Sequence, residues 1–428
     1  MQEQLTEGYK AQAETLMGTV PGADSLRQSA LKEFEGIGFP TNRTEEWRYS
    51  DTKALRAEEF ALAGTSASAE IAAPLGETAA RFVFVNGRYA EDLSDLGDLW
   101  QAMPIRPLAN HFMANPDRAT ELVRGNDGVS LLNTALMRDG LVLSVPAGIE
   151  IDEPIEIVHV MDGAEQAAAH TRHVIELGEG AEITIIEHFV GDASAYWTNS
   201  VLQARITEGA KLRHIRLQEE GEAATHTAKA YVNLDAESEY YCVNMSVGAK
   251  AARFEAHVRV LGEEADAHVD GVALAGTGQN HDMLTHVSHM VANATSDQIF
   301  RTVADTRGKT AFQGKVTVVK DAQLTEADQS FKALVFDKTA EANSKPELEI
   351  LADDVKCSHG ATIGQLDDKA IFYLTSRGID PVTARKMLVE AFTADALVNI
   401  DNEALRETLV ERIRIWMASR AENVGAGE

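Results

Sequence analysis

The chain has 428 residues, enough for a large core with appended modules, and its length points to about two or three domains rather than a small disulfide-stapled scaffold. A net charge of −28 gives a field that repels phosphate backbones and anionic headgroups, so neither nucleic acid nor a membrane surface is an expected partner. With one quarter charged and 44% hydrophobic residues, the composition is that of an ordinary globular chain.

The N-terminus, Met1-Gln2-Glu3-Gln4-Leu5, lacks the basic patch and apolar core of a secretory signal. The longest apolar run, Ala370 to Leu374, falls far short of the ~20 residues a spanning helix needs. A cytoplasmic location is expected, and there the two cysteines, Cys242 and Cys357, stay reduced. Two thiols cannot build the four-thiolate cradle of a self-contained iron–sulfur protein, so no firmly bound cofactor is expected and any cluster would need outside ligands.

Residues 1–138 read as a mostly helical N-terminal domain. Leu26, Ala30, Leu31 and Phe34 recur at helical spacing after the start signal Pro21-Gly22-Ala23-Asp24-Ser25, and Gly36, Gly38 and Pro40 end that helix. Ala61 to Ala73 reads as a loose loop, and Phe82 to Val85 followed by Asn86-Gly87 as a short strand and turn. From Asp139 the period changes to two: Ile149 and Ile151 alternate with Glu150 and Asp152, and Ile155 and Ile157 flank Glu156.

Similar strand segments then begin at Ala181, Ala210, Ser238 and Ala265, with weaker echoes near Thr295 and Thr325. A repeat this short leaves no room for a helix and fits the coils of a β-solenoid over residues 139–374. An antiparallel sandwich or barrel is the alternative many short strands allow. The last part, residues 375–428, returns to helix: Asp380-Pro381 opens a segment with Ala384, Met387, Leu388, Ala391 and Phe392 on one face. A second segment carries Leu405, Leu409, Ile413, Trp416 and Met417. Capping the solenoid is a sufficient role for this helical pair, and docking a partner is the sharper one.

Lys356 to Gly364, KCSHGATIG, is the most informative stretch. Cys357 and His359 share a face of an extended strand, and a thiol beside an imidazole suits a soft or borderline metal. Two ligands hold a metal weakly, so a second pair from another surface is expected. Other features read as structural. Gly308-Lys309-Thr310 looks like the end of a phosphate loop, but Val303 stands where that pattern needs glycine. His281, His286 and His289 are too far apart on one strand to chelate together. His214 and Cys242 occupy equivalent repeat positions and are expected to be neighbours, with no ligand role assigned.

KCSHGATIGQLDDKAIFYLTSRGI resembles the C-terminal signature of the SufB/SufD family, whose members work in iron–sulfur cluster assembly. NRTEEWRYSD (Asn42 to Asp51) and LNTALMRDGLVLSVPAGIEIDEPI (Leu132 to Ile155) resemble two further segments of that family. The resemblance implies a mainly β protein: a right-handed parallel β-helix core flanked by N-terminal and C-terminal helical domains. The short chain, the Cys-Ser-His-Gly form and the lack of an N-terminal cysteine cluster favour the branch that partners SufB over SufB itself, which remains the alternative.

The resemblance further implies a non-enzymatic scaffold of the SUF machinery that pairs with SufB through the last coils and binds the SufC ATPase through its C-terminal helices. Thr375, Arg377, Gly378, Pro381 and Lys386 are the candidate partner-binding residues. His359 and Cys357 would share iron or a transient iron–sulfur cluster with SufB, and the isolated chain could pair with itself as a homodimer. Two readings from other classes stand beside this one: a carbohydrate-active β-helix enzyme using paired carboxylates, and a hydrolase with Cys357 as nucleophile.

Overall fold

A computed structural model describes residues 2–66, 69–99, 103 and 105–425 of the chain; residues 67 and 68, inside the expected Ala61–Ala73 loop, lie outside it. Helices α1 (Gln2–Thr15), α2 (Asp24–Ile37), α3 (Lys53–Ala57), α4 (Leu108–Ala114) and α5 (Gly128–Leu136) lie before the main strands, and α6 (Asp368–Thr375), α7 (Pro381–Ala394) and α8 (Glu403–Gly425) follow them.

Four short strands come first: β1 (Ala61–Leu62), β2 (Ala80–Val85), β3 (Arg88–Tyr89) and β4 (Ile105–Pro107). The solenoid strands are then β5 (Leu141–Val145), β6 (Ile155–Met161), β7 (Ala167–Leu177), β8 (Glu182–Gly191), β9 (Trp197–Ile206), β10 (Lys211–Gln218), β11 (Thr225–Leu234) and β12 (Glu239–Ser246). They continue as β13 (Ala251–Val260), β14 (Asp266–Ala275), β15 (Asn280–His289), β16 (Thr295–Ala304), β17 (Lys309–Val318), β18 (Glu326–Val335), β19 (Glu341–Ile350) and β20 (Lys356–Gly364).

From β5 onward successive strands alternate between two ten-stranded sheets, odd-numbered strands in one and even-numbered in the other. Each strand pairs in parallel with the one two places on, as in His214↔Cys242 and Gln329↔His359. Chain connections this short between parallel neighbours leave only a coil, so the molecule is a β-solenoid of about eight turns and the sandwich alternative falls.

The repeat has a local cause. From β8 to β18, two residues before each even strand the backbone turns through the left-handed region, at Gly180, Gly209, Glu237, Glu264, Asn293 and Leu324. Glycine supplies that conformation without a Cβ clash at the first two corners. The next residue, Ala181, Ala210, Ser238, Ala265, Ala294 or Thr325, is buried at each corner, where only a small side chain fits. Amide-to-carbonyl bonds such as Gly180 to Glu208 and Gly209 to Ala236 stitch one corner to the next.

Between the sheets lies a core running from Phe82 and Ile155 through Leu212, Tyr240 and Phe254 to a ring stack of Phe300, Phe312 and Phe331. Outside the even sheet, Leu397, Leu405, Leu409, Ile413 and Trp416 of the C-terminal region pack on Ile215, Leu217, Tyr241 and Val272. The even strands from β8 to β16 are therefore covered on both faces. On the odd side, Tyr9, Phe34 and Trp47 pack with the fully buried α5. The guanidinium of Arg27 in α2 donates to the carbonyls of Ala135 (2.8 Å) and Met137 (2.7 Å), closing the C-terminal end of α5.

Several local expectations are corrected. Ala61–Leu62 pairs with β7 where a loop was expected. Ile149 and Ile151 lie outside any full strand and flank a single parallel bridge between Glu150 and Glu182, the Ile151 amide donating to the Glu182 carbonyl and the Glu182 amide to the Ile149 carbonyl, with Ile149 exposed. In α7 the buried residues are Ala384, Val389 and Thr393, while Met387 is exposed. The last strand ends at Gly364 and α6 begins at Asp368, ahead of the expected helical start at 375.

Candidate functional site

The solenoid stops at β19 and β20, each paired on one side only. Parallel in-register pairing stacks side chains in columns. Cys357 stands over Ala327 and His359 over Gln329, both of which are buried interior residues of β18. Cys357, His359, Ala361 and Ile363 thus face the interior direction of a coil on which no further coil is stacked. Cys357 is half-buried beside Val316, Val318 and Ala352, whereas His359 is exposed and Ile363 is 49% exposed although it occupies a core position.

Beneath His359 the Gln329 side chain is buried with both amide atoms unpartnered. A buried amide without partners is costly, and this one sits one strand spacing from the open end. Sequence reasoning passed over Gln329; its signal is a polar residue at an interior repeat position. The two edges differ in chemistry. On β19, Pro346 and the charges of Glu341, Lys345, Glu347 and Glu349 blunt the edge against pairing, whereas past Lys356, β20 carries no charged residue up to Gly364.

Burial pushes the Cys357 thiol above its ordinary range, with nearby Asp328 adding to the shift. That is the reverse of the activated thiolate a cysteine hydrolase requires. Three buried carboxylates are held in internal ion pairs: Glu156 with Arg81 (2.7 Å), Glu187 with Arg216 (2.9 Å) and Glu255 with Arg253 (2.7 Å).

Candidate partner-binding residues lie on α6 and α7 and in the turn between them. Arg377 is exposed with its guanidinium 3.4 Å from the Tyr373 ring centre; Gly378 has φ 88°, and Pro381 opens α7 behind the Asp380 N-cap. Thr375 bonds back to the Ile371 carbonyl at 3.0 Å, and Lys386 is partly exposed. Helix α6 buries none of its residues, and Phe372, 71% exposed, leads an apolar surface with Tyr373, Val382 and Met387.

The other features resolve as structure. His281 bonds toward the Ala249 carbonyl and His289 to Ser296, and burial lowers both to about 4, so they are neutral core groups; His286 points elsewhere, to Thr317. At the false phosphate loop, the Gly308 and Lys309 amides already donate to Asp305 and Gln279 carbonyls, leaving no backbone cradle.

His214 and Cys242 are neighbours, with Nδ1 and Sγ 4.0 Å apart, and both are sealed in the core. Burial opposes charge on His214, but Cys242 and the Glu187 carboxylate 2.8 Å away lift it to about 9. His159, His173 and Glu187 also converge, all buried. The Leu141 amide donates to His173 Nδ1 (3.1 Å), which puts the proton of this neutral ring on Nε2 and leaves it a donor rather than a metal ligand.

These features define a β-solenoid whose Cys/His strand lies on an uncapped coil beside an open sheet edge. A family profile described as "SUF system FeS cluster assembly, SufBD core domain" matches residues 159–392, and one described as "SufBD protein N-terminal region" matches residues 1–157. The chain is 30% identical to the iron-sulfur cluster assembly protein SufD of Escherichia coli (strain K12), across 90% of this chain and 91% of that protein. It is also 30% identical to the chloroplastic protein ABCI7 of Arabidopsis thaliana, across 89% and 83%. Against the iron-sulfur cluster assembly protein SufB of Bacillus subtilis (strain 168) the identity is 23%, across 86% and 74%. The chain belongs to the SufBD family, and its role lies in iron–sulfur cluster assembly. No described helix is long and apolar enough to cross a membrane.

Proposed function

We propose that the chain is a non-catalytic scaffold subunit that pairs with SufB through β20, binds the SufC ATPase through α6 and α7, and offers His359 and Cys357 to a cluster in assembly. The observation that carries this reading is the asymmetry of the two sheet edges. An unpaired strand is a template for another chain, and only β19 is protected against that by proline and charge. Docking a second β-solenoid there would complete the parallel core stack, cover Ile363 and enclose His359, Cys357 and the Gln329 amide.

Within such an interface His359 supplies a nitrogen ligand and Cys357 a sulfur, with the remaining positions filled by the partner. Iron and sulfide are cargo. The exposed Phe372, Tyr373, Val382 and Met387 surface supports the SufC assignment, since apolar groups of that size gain most from being covered. In isolation the same open edge supports a homodimer.

The test is reconstitution with SufB and SufC. A complex of defined stoichiometry is expected, and His359→Ala should lower the yield of cluster on that complex by about tenfold, the scale typical of weakened metal sites, without changing its stoichiometry. A His359→Ala complex that assembles cluster at the normal rate would remove the ligand role. Failure of the wild-type chain to bind SufB would remove the pairing role.

A further inference from the structure

Segment 42–56, across which the NRTEEWRYSD stretch runs, is fastened to the odd sheet. Asn280 accepts from the Asp51 amide (3.1 Å) and donates to the Tyr49 carbonyl (3.0 Å), Gln313 donates to the Glu46 carbonyl (2.8 Å), and Ser50 bonds to Asp282. Trp47 is buried, with the Arg253 guanidinium 4.2 Å from its ring centre. These anchors hold open two adjoining cavities between the segment and β15, β17 and β19, of about 750 Å³ and 440 Å³, which share Arg48, Tyr49 and Lys309.

Cations outnumber carboxylates around both cavities. Lys309 is satisfied by Glu341 (2.9 Å) and Lys345 by Glu45 (2.6 Å). Arg43, Arg48, Arg56 and Arg307 have no ion-pair partner among the described residues, and the Nε of Arg56 is buried without any hydrogen bond. In a chain where carboxylates outnumber cations 67 to 39, a cleft with this local cationic excess, four of its guanidinium groups outside any direct ion pair, marks a place for an outside anion. Their planar forks match the oxygens of a phosphate, and the volumes are those of small-molecule sites. The overall negative field works against a long polyanion, so the ligand is small.

We propose that this cleft binds a phosphate-bearing small molecule, recognised by Arg43, Arg48, Arg56 and Arg307 beside the Tyr49 ring. Recognition is by side chains, since the amides of Gly308 and Lys309 are already engaged. The site lies apart from β20 and stands whether or not the chain pairs with SufB.

Titration calorimetry of the full chain with inorganic pyrophosphate tests it. Saturable binding is expected, weakening as salt is raised, with affinity reduced at least tenfold in Arg48→Ala and in Arg307→Ala. Both arginines are exposed, so the folded state should survive, which an unchanged urea midpoint checks. Lys320→Ala, in the turn just beyond the far end of β17, should bind as the wild type does. Absence of saturable binding at millimolar pyrophosphate, equal loss in Lys320→Ala, or tighter binding of citrate than of pyrophosphate would each overturn the assignment.

Discussion

His214 and His359 both face the interior of even-sheet strands, and the protein treats them in opposite ways. His214, on β10, lies under Cys242 of β12, touches the Tyr240 hydroxyl (3.0 Å) and the Glu187 carboxylate (2.8 Å), and is wholly buried. His359, on β20, stands over Gln329 with nothing stacked above it and is exposed. A cysteine is close in sequence or space to each. What separates a structural histidine from a candidate ligand here is the coil that carries it, because each coil is sealed by the next and only the last one lacks a cover.

The largest effect that separates the two regions is expected in acid. Burial lowers His170 and His173 to about 3 and His281 and His289 to about 4, against an ordinary value of 6.5. Their folded values are depressed, so the unfolded chain binds more protons and stability falls as the pH drops from about 6.5 toward 4. Each acts on the order of 1 kcal/mol per pH unit within that window, and Asp270, which burial raises to about 7, offsets part of the sum. His214 works in the opposite sense, its contribution being full below about 6.5 and lost as the pH rises through about 9. Urea unfolding across pH, with proton uptake measured at pH 5, checks the sign; a flat profile between pH 6.5 and 4.5 would contradict these neutral buried rings. His359→Ala should leave the acid transition in place.

Glu187→Ala should come next, at about 3–5 kcal/mol, because it strands the buried Arg216 guanidinium and His214 without their shared carboxylate. Chemical denaturation measures it, and a loss below 1 kcal/mol would show that water or rearrangement satisfies those cations. A third contrast is kinetic. A maleimide should label Cys357 in the native protein at a rate that rises with pH, since its raised thiol keeps thiolate scarce near neutrality. Cys242, fully buried, should react at least about a thousandfold more slowly, through opening of the fold.

The even sheet was legible in sequence because its strands from β8 to β18 each follow a left-handed corner and a small buried residue: the repeat starts found at Ala181, Ala210, Ser238 and Ala265 are those corner residues. The odd sheet was not. Its strands do alternate, as Ala228, Ala230, Val232 and Leu234 face the core in THTAKAYVNL, but the outer positions between them are also buried, with Lys229 held by Asp127 and Asn199 by the Val129 carbonyl of the N-terminal segment, which local pattern does not reveal. Cys357 and His359 were legible as a pair sharing a strand face. That their coil is the uncovered one depends on where the ladder stops, and the unpartnered Gln329 depends on register across thirty residues, which local pattern does not carry.

The smallest stability effect should accompany a large change in association, and Ile363→Glu is the substitution that separates them. Ile363 occupies an interior column over Ala333, yet it is half exposed because the column ends there. Replacing it removes little buried area from the folded subunit, so the urea midpoint should correspond to a change within about 0.5 kcal/mol. If β20 is the pairing edge, however, a carboxylate placed in the core of the interface would be buried without a partner, and desolvating it costs several kcal/mol. The expected outcome is an intact subunit that no longer pairs, by sedimentation, with itself or with SufB. Undiminished pairing would shift the interface from β20 to β19 or the outer helices, and would leave His359 an exposed residue at a coil end with no partner to complete its site.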